Sequence, residues 1–241
     1  MSTMMSSALW VPSSLAAPSR AVAPFKRKRS KRGEGDRLRE EILDAVDALL
    51  AANPSPDAVS IRAVAEKVGC TPPAIYLHFF DKQELLFDVC ARQFRNLNKV
   101  IDEAVAAIPA GDPLASLQAG VRAYISFGLE HPEHYRILFM GNSVLTADQV
   151  DELRRNGVTG LDRLVDRCRQ CIKAGVIHSE DAKLAAYGLW SLAHGMVSLL
   201  IAKPHADWPS SIKLADHLVS THIRGLATPA APVAAVVAAA G

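Results

Sequence analysis

Between residues 36 and 227, apolar side chains recur every three or four positions, the period at which one face of an α-helix repeats. Leu38, Ile42, Ala45, Val46, Leu49 and Leu50 form the first such stripe, and Asn53-Pro54-Ser55-Pro56 stops it. Two short segments follow, 61–68 and 72–79, separated by Gly69-Cys70-Thr71. A longer helix is predicted over 81–108, carrying Leu85, Leu86, Val89, Cys90, Phe94, Leu97 and Ile101, with the length of a connecting strut. Further helices are predicted over 113–130, 133–139, 146–174, 180–202 and 209–225. The breaks between them fall at His131-Pro132, Gly141-Asn142, 175–179 and Lys203-Pro204, each holding a helix stop or a turn former. No useful stretch alternates at the two-residue period of a strand, so the predicted fold class is all-α.

Charge changes this picture at the N-terminus. The chain of 241 residues has 27 Lys and Arg against 25 Asp and Glu, but residues 1–33 hold seven of the basic residues and no acidic one. Six of them are Lys26, Arg27, Lys28, Arg29, Lys31 and Arg32. Such a density attracts polyanions and cannot bury itself in a core, so 1–35 is read as a disordered basic arm. Residues 1–25 are rich in Ser, Ala and Pro and lack the positive n-region of a secretory signal; an upstream start codon is the alternative account of them. The tail 228–241, mostly Ala, Pro and Val, offers no polar face and is read as disordered.

Other classes drop out in turn. Four cysteines, Cys70, Cys90, Cys168 and Cys171, are too few for a disulfide scaffold and point to a reducing cytoplasm. No uninterrupted apolar run reaches the ~18 residues of a membrane span, so no membrane partner is expected. Cys168 and Cys171 read as core packing, and the pairs His131/His134 and His178/Glu180 lack a third converging ligand, so no metal is expected. A Gly-rich phosphate loop, a nucleophile elbow and paired catalytic carboxylates are all missing, so neither an enzyme nor a cofactor is expected.

The segment 60–82 carries the chemistry. Ser60 is placed to cap the helix opened by Ile61, Gly69 permits a left-handed turn, and Thr71 is placed to cap a second helix whose first turn holds Pro72 and Pro73. Two short helices around a Gly-containing turn read from spacing either as a helix-turn-helix, which sets its second helix in a major groove, or as a generic pair of packed short helices. Ile75 and Phe79 lie four apart and face the core, turning Pro72, Pro73, Tyr76 and Leu77 outward. Lys82, near a helix start, opposes the macrodipole and makes sense as a phosphate ligand, the alternative being a solvated lysine. His78 reads either as a groove contact or as a core histidine.

The run Ser60-Ile61-Arg62-Ala63-Val64-Ala65, then Gly69-Cys70-Thr71-Pro72-Pro73-Ala74-Ile75-Tyr76-Leu77-His78-Phe79, then Lys82-Gln83-Glu84-Leu85 resembles the DNA-binding signature of the TetR family of transcriptional regulators over residues 37–90. The resemblance implies that Tyr76, His78 and Lys82 contact phosphates or base edges, and that Arg62 reaches a base or phosphate from the preceding helix. One departure stands out: the cap is usually followed by a polar pair, whereas this chain offers Cys70-Thr71-Pro72-Pro73. The expected DNA surface is therefore Ser60, Arg62, Thr71, Pro72, Pro73, Tyr76, Leu77, His78 and Lys82, with the basic arm following phosphates or entering a minor groove.

His131-Pro132-Glu133-His134-Tyr135-Arg136-Ile137-Leu138-Phe139, together with Trp190, His194 and Gly195, resembles a TetR subgroup with a Trp-x-x-x-His-Gly element. That resemblance implies a small-molecule-binding domain that dimerises through its last two helices. The helix 180–202 is apolar almost all round and must be buried on both sides. A charge at Leu200 or Leu218 is accordingly expected to break a dimer. Phe94, Tyr124, Phe127, Phe139, Leu164, Cys168, Trp190 and His194 are expected to line a ligand pocket with few acidic neighbours, favouring a largely apolar effector with one hydrogen-bonding or anionic end. The organisation read from the sequence is a helix-turn-helix three-helix domain over 36–82 and a larger helical ligand-binding and dimerisation domain over 83–227. Its expected function is a cytoplasmic homodimeric repressor of a double-stranded operator. The rival reading is a helical small-molecule carrier with a vestigial helix-turn-helix, and the basic arm, Arg62 and Lys82 argue against it.

Overall fold

The computed structural model describes residues 34–53, 55, 58–140, 145–157 and 159–227. The arm residues Lys26, Arg27, Lys28, Arg29, Lys31 and Arg32, the break at Gly141-Asn142 and the tail 228–241 lie outside the described residues. In chain order the helices are α1 (Glu34–Ala52), α2 (Ile61–Val68), α3 (Pro72–Tyr76), α4 (Lys82–Ala106), α5 (Pro113–Glu130) and α6 (Pro132–Tyr135). A π-helical turn (Arg136–Met140) follows, then α7 (Ala147–Arg155), α8 (Leu161–Lys173), α9 (Ala182–Ala202) and α10 (Ser211–Ala227). The described residues contain no strand.

Three segments depart from the periodic reading. The helix expected over 72–79 ends at Tyr76, because Phe79 has to enter the core and Asp81 must be extended (φ −150°, ψ −177°) to cap α4. The helix expected over 133–139 is α6 continued by the π turn. The wider turn lets Ile137 and Leu138 face one core while Tyr135 and Met140 face the other. The helix expected over 146–174 is broken at Gly157 and Gly160, both left-handed (φ 65° and 76°). Its two halves serve different cores: Leu153 of α7 packs into the first, Cys168 and Cys171 of α8 into the second.

Those two cores share α4. Its N-terminal half contributes Leu85, Leu86, Val89 and Phe94 to a cluster with Ile42, Val46 and Leu50 of α1, Val64 of α2, and Ile75 and Phe79. Its next turn contributes Leu97 to a second cluster with Leu117 and Val121 of α5, Leu189 and Val197 of α9, and Val219 of α10. Polar contacts fix α1 against α4. Arg92 donates to Asp44 at 2.8 Å, to Glu40 at 3.2 Å and to Asp47, while Gln93, almost fully buried, donates to Asp47 at 2.7 Å. Arg39 pairs with Asp88 and stands 5.0 Å over the Phe79 ring.

Helix α9 is, by length and composition, apolar enough to cross a membrane, which a count of uninterrupted apolar residues missed. Here it packs against α5, α8 and α10 as the central helix of the second core. Gly128 of α5 sits tight against α9 and α6: an added Cβ would lie 2.6 Å from Val197 Cγ1 and 2.8 Å from Tyr135 Cδ2. Gly128→Val is expected to lower unfolding free energy by about 2–3 kcal/mol through overpacking, read as a lower urea midpoint. Gly225→Ala on α10, where a Cβ meets nothing within 4 Å, is the control and should be neutral or stabilising.

Candidate nucleic-acid interface and ligand cavity

The turn between α2 and α3 is built by local hydrogen bonds. Ser60 Oγ accepts from Ala63 N at 3.1 Å, starting α2. Gly69 (φ 75°) and Cys70 both donate their N–H to Ala65 O, at 2.9 and 3.0 Å, ending it. Thr71 is extended at the cap position of α3, but its hydroxyl makes no capping bond. Asp81 caps α4 by accepting from Glu84 N at 2.8 Å, and the Glu84 carboxylate accepts from Phe80 N.

This frame leaves one surface facing out. Ser60, Arg62, Thr71, Pro72, Pro73 and Tyr76 are exposed, and Leu77 is 84% exposed. His78 and Lys82 are half-buried, while Ile75 and Phe79 are buried beneath them. Phe80 joins the same surface at 87% exposure and was not anticipated. The Phe79-Phe80 pair held the signal, since consecutive residues at that turn cannot both enter one core. The surface thus combines large apolar groups with a few hydrogen-bonding side chains on a short helix, the arrangement with which side chains read base edges and thymine methyls.

The second feature is a cavity of about 390 Å³ bounded by α4, α5, the π turn, α7, α8 and α9. Phe94, Tyr124, Phe139 and Trp190 supply aromatic wall, with Phe94 and Phe139 edge to face at 5.7 Å. Leu97, Ile101, Leu164 and Leu189 supply aliphatic wall, and Asn98, Thr159, Arg154 and Arg167 the polar part. The described lining residues include no Asp, Glu, Lys or His. Cys90 also lines it; burial, with Asp47 adding to it, pushes its thiol up to about 12, so it stays protonated.

Five of the expected pocket residues, Phe94, Tyr124, Phe139, Leu164 and Trp190, therefore meet at one cavity, and three stand behind its wall. Cys168 is fully buried in the second core with its thiol pushed up to about 11 by burial. Phe127 is buried too, its ring 5.1 Å from that of His131. His194 lies behind Phe139, its Nδ1 2.6 Å from the Tyr135 hydroxyl and 3.4 Å from that of Tyr124, and its Nε2 3.4 Å from Ser198 Oγ. Burial lowers the His194 pKa, which favours a neutral ring. Helical spacing placed these three on plausible faces but carried no information about depth. It also missed Asn98, Arg154, Thr159, Gly160 and Arg167. Gly160, Leu164 and Arg167 share one helical face, but an arginine on such a face carries no mark in the sequence of whether it meets solvent or a cavity.

The His131/His134 pair does acquire a third neighbour. His131, Glu133 and His134 bring their potential ligand atoms within 4.8 Å of one another at the α5–α6 turn, a convergence that spacing alone did not reveal.

Comparison with known proteins agrees with this geometry. The family profile for bacterial regulatory proteins of the tetR family matches residues 42–89, and that for the tetracyclin repressor-like C-terminal domain matches residues 117–222. The HTH-type transcriptional regulator YobS of Bacillus subtilis is 26% identical over 163 residues, covering 67% of this chain and 78% of its own. A solved protein from Rhodococcus sp. RHA1 superposes with a TM-score of 0.68 at 25% identity, covering 86% of this chain and all of that one. AibR, solved in complex with isovaleryl coenzyme A and operator DNA, superposes with a TM-score of 0.60 at 21% identity over 76% of this chain and 97% of its own.

Proposed function

The chain belongs to the TetR family of bacterial transcriptional regulators, and from that premise we propose a homodimeric repressor that leaves its operator when a small, largely apolar effector fills the cavity between α4, α5, α8 and α9. On this reading the Trp190, His194 and Gly195 element supports assignment to the corresponding subgroup. The observation that carries the proposal is the double membership of α4. Its first turns are core of the DNA-reading head, and Phe94, Leu97, Asn98 and Ile101 of the same helix are cavity wall. A molecule in the cavity therefore acts on the element that orients the head. To take the DNA-competent population from 99:1 to 1:99 the effector must favour the released form by ~5.5 kcal/mol.

An apolar effector body fits the wall composition, and AibR, of the same fold, was solved with isovaleryl coenzyme A, in which a branched apolar acyl group is joined to the larger, phosphate-bearing coenzyme A. Dimerisation is supported by α9, where Leu184, Ser191, Gly195 and Leu199 follow one another along a single uncharged face, with Leu184 69% and Leu199 52% exposed. Ile212 of α10 is also exposed. Two such surfaces related by a twofold axis would bury one another and space two heads for paired half-sites.

On α3 the bidentate pairs of Arg with guanine and of Asn or Gln with adenine are missing, so Arg62 on α2 is assigned the guanine contact. In binding titrations against a selected operator and a scrambled duplex, Arg62→Ala is expected to relax preference at one base pair per half-site by ~1–3 kcal/mol. Removal of residues 1–33 is expected to weaken both duplexes alike and flatten the salt dependence. Equal loss on both duplexes for Arg62→Ala would make that residue a phosphate ligand. An unchanged salt slope after arm removal would take the arm out of the interface.

A further inference from the structure

We infer that the cavity selects molecules with an apolar body and one anionic end, and that Arg167 binds that end inside the cavity with Arg154 at its mouth. This rests on the effector reading given above and names the chemistry of the effector.

The first support is the charge balance of the wall. Among the described lining residues the only formal charges are those of Arg154 and Arg167, both positive. A cation would meet nothing to neutralise it there, whereas an anion would meet two guanidiniums.

The second is the setting of Arg167. Its side chain is only 14% exposed, and its Nη2 donates to Asp102 at 3.2 Å. That same carboxylate also takes Arg163, so one negative charge serves two guanidiniums. Nη1 lies over Gly120, itself part of the wall; a Cβ there would stand 3.6 Å from it, and glycine leaves that space open. Burial lowers the Arg167 pKa, and Asp102 works against it. A guanidinium taken from water with half a counter-ion gains from any further anion that reaches it, because charge-assisted hydrogen bonds strengthen away from solvent.

The third is the setting of Arg154. It lines both this cavity and an outer groove that holds Arg155, Arg169 and Lys183 alongside Asp162, Glu180 and Asp181. Its own partner, Asp151, is exposed and 3.5 Å away. A compact carboxylate would reach Arg167, and a bulkier phosphate head would rest at Arg154, so the shared chemistry admits two sources that experiment separates.

Isothermal titration calorimetry on the full chain with matched hexyl, octyl, decyl and dodecyl carboxylates, alcohols and phosphates tests this directly. At the best chain length an anion is expected to bind about ten- to a hundredfold tighter than the alcohol. Arg167→Gln should erase the advantage of the carboxylate and leave alcohol affinity within about twofold, while Arg154→Gln should weaken the phosphate more than the carboxylate. An alcohol that binds as tightly as both anions of its length would overturn the inference and leave an apolar effector standing. Absence of binding by all three series would overturn the effector reading together with it. The comparison in the unaltered protein decides between these outcomes even if a variant fails to fold.

Discussion

Leu77→Glu is expected to abolish DNA binding while leaving the protein folded. The side chain is 84% exposed at the end of α3, so its replacement removes little packing and should alter stability by no more than about 0.5 kcal/mol. On the groove-facing surface the new carboxylate would meet phosphate charge and lose its water, a juxtaposition that costs several kcal/mol. Fluorescence anisotropy should show at least about a hundredfold loss for operator and scrambled duplex alike, with an unchanged thermal melt. Retained binding by a folded Leu77→Glu protein would remove α3 from the groove.

The second large effect concerns assembly. Leu199→Arg is expected to convert a dimer to a folded monomer, because this side chain is exposed in the isolated protomer and would face its symmetry copy across the α9 surface. Twofold symmetry places the charge in the interface twice, and a buried unpaired charge costs about 3–5 kcal/mol. Sedimentation at micromolar concentration should show halved mass with an unaltered circular dichroism spectrum. Leu200 and Leu218, the positions that periodicity suggested, are less suitable: both pack against the second core of their own protomer, so a charge there would damage the fold before the interface. A stable monomer of the unaltered protein under the same conditions would refute the dimer.

The difference between Leu199 and Leu200 shows what a sequence pattern conveys. Periodicity found the helices because burial of a stripe is a local property, visible every third or fourth residue, and the Ser60, Gly69 and Asp81 boundaries follow from backbone groups that need partners nearby. For the DNA surface the inward pair Ile75 and Phe79 was legible on the same grounds. Depth was not legible. Whether Trp190 or His194 reaches a cavity depends on what Phe139 and Tyr135 occupy between them; Tyr135 ends α6 and Phe139 comes from the π turn that continues it, which no helical period describes. Arg167 was hidden for a related reason. Its importance comes from α4, α5 and α8 meeting around it, with Asp102 and Gly120 contributed from distant parts of the chain.

The shared strut has a mechanical consequence. At 25 residues, α4 is about 37 Å long, and its two ends belong to different packed bodies. Because the Arg92 cluster fastens α1 to its near half, the head follows its axis as a rigid load. A tilt of roughly 5° about the far end then carries the near end through about 3 Å, whereas a hydrogen bond keeps its strength over a range of only about 0.5 Å. In the proposed repressor, lever arithmetic of this kind would let a displacement too small to disturb the packing of the cavity wall take two reading heads out of step with the helical repeat of DNA.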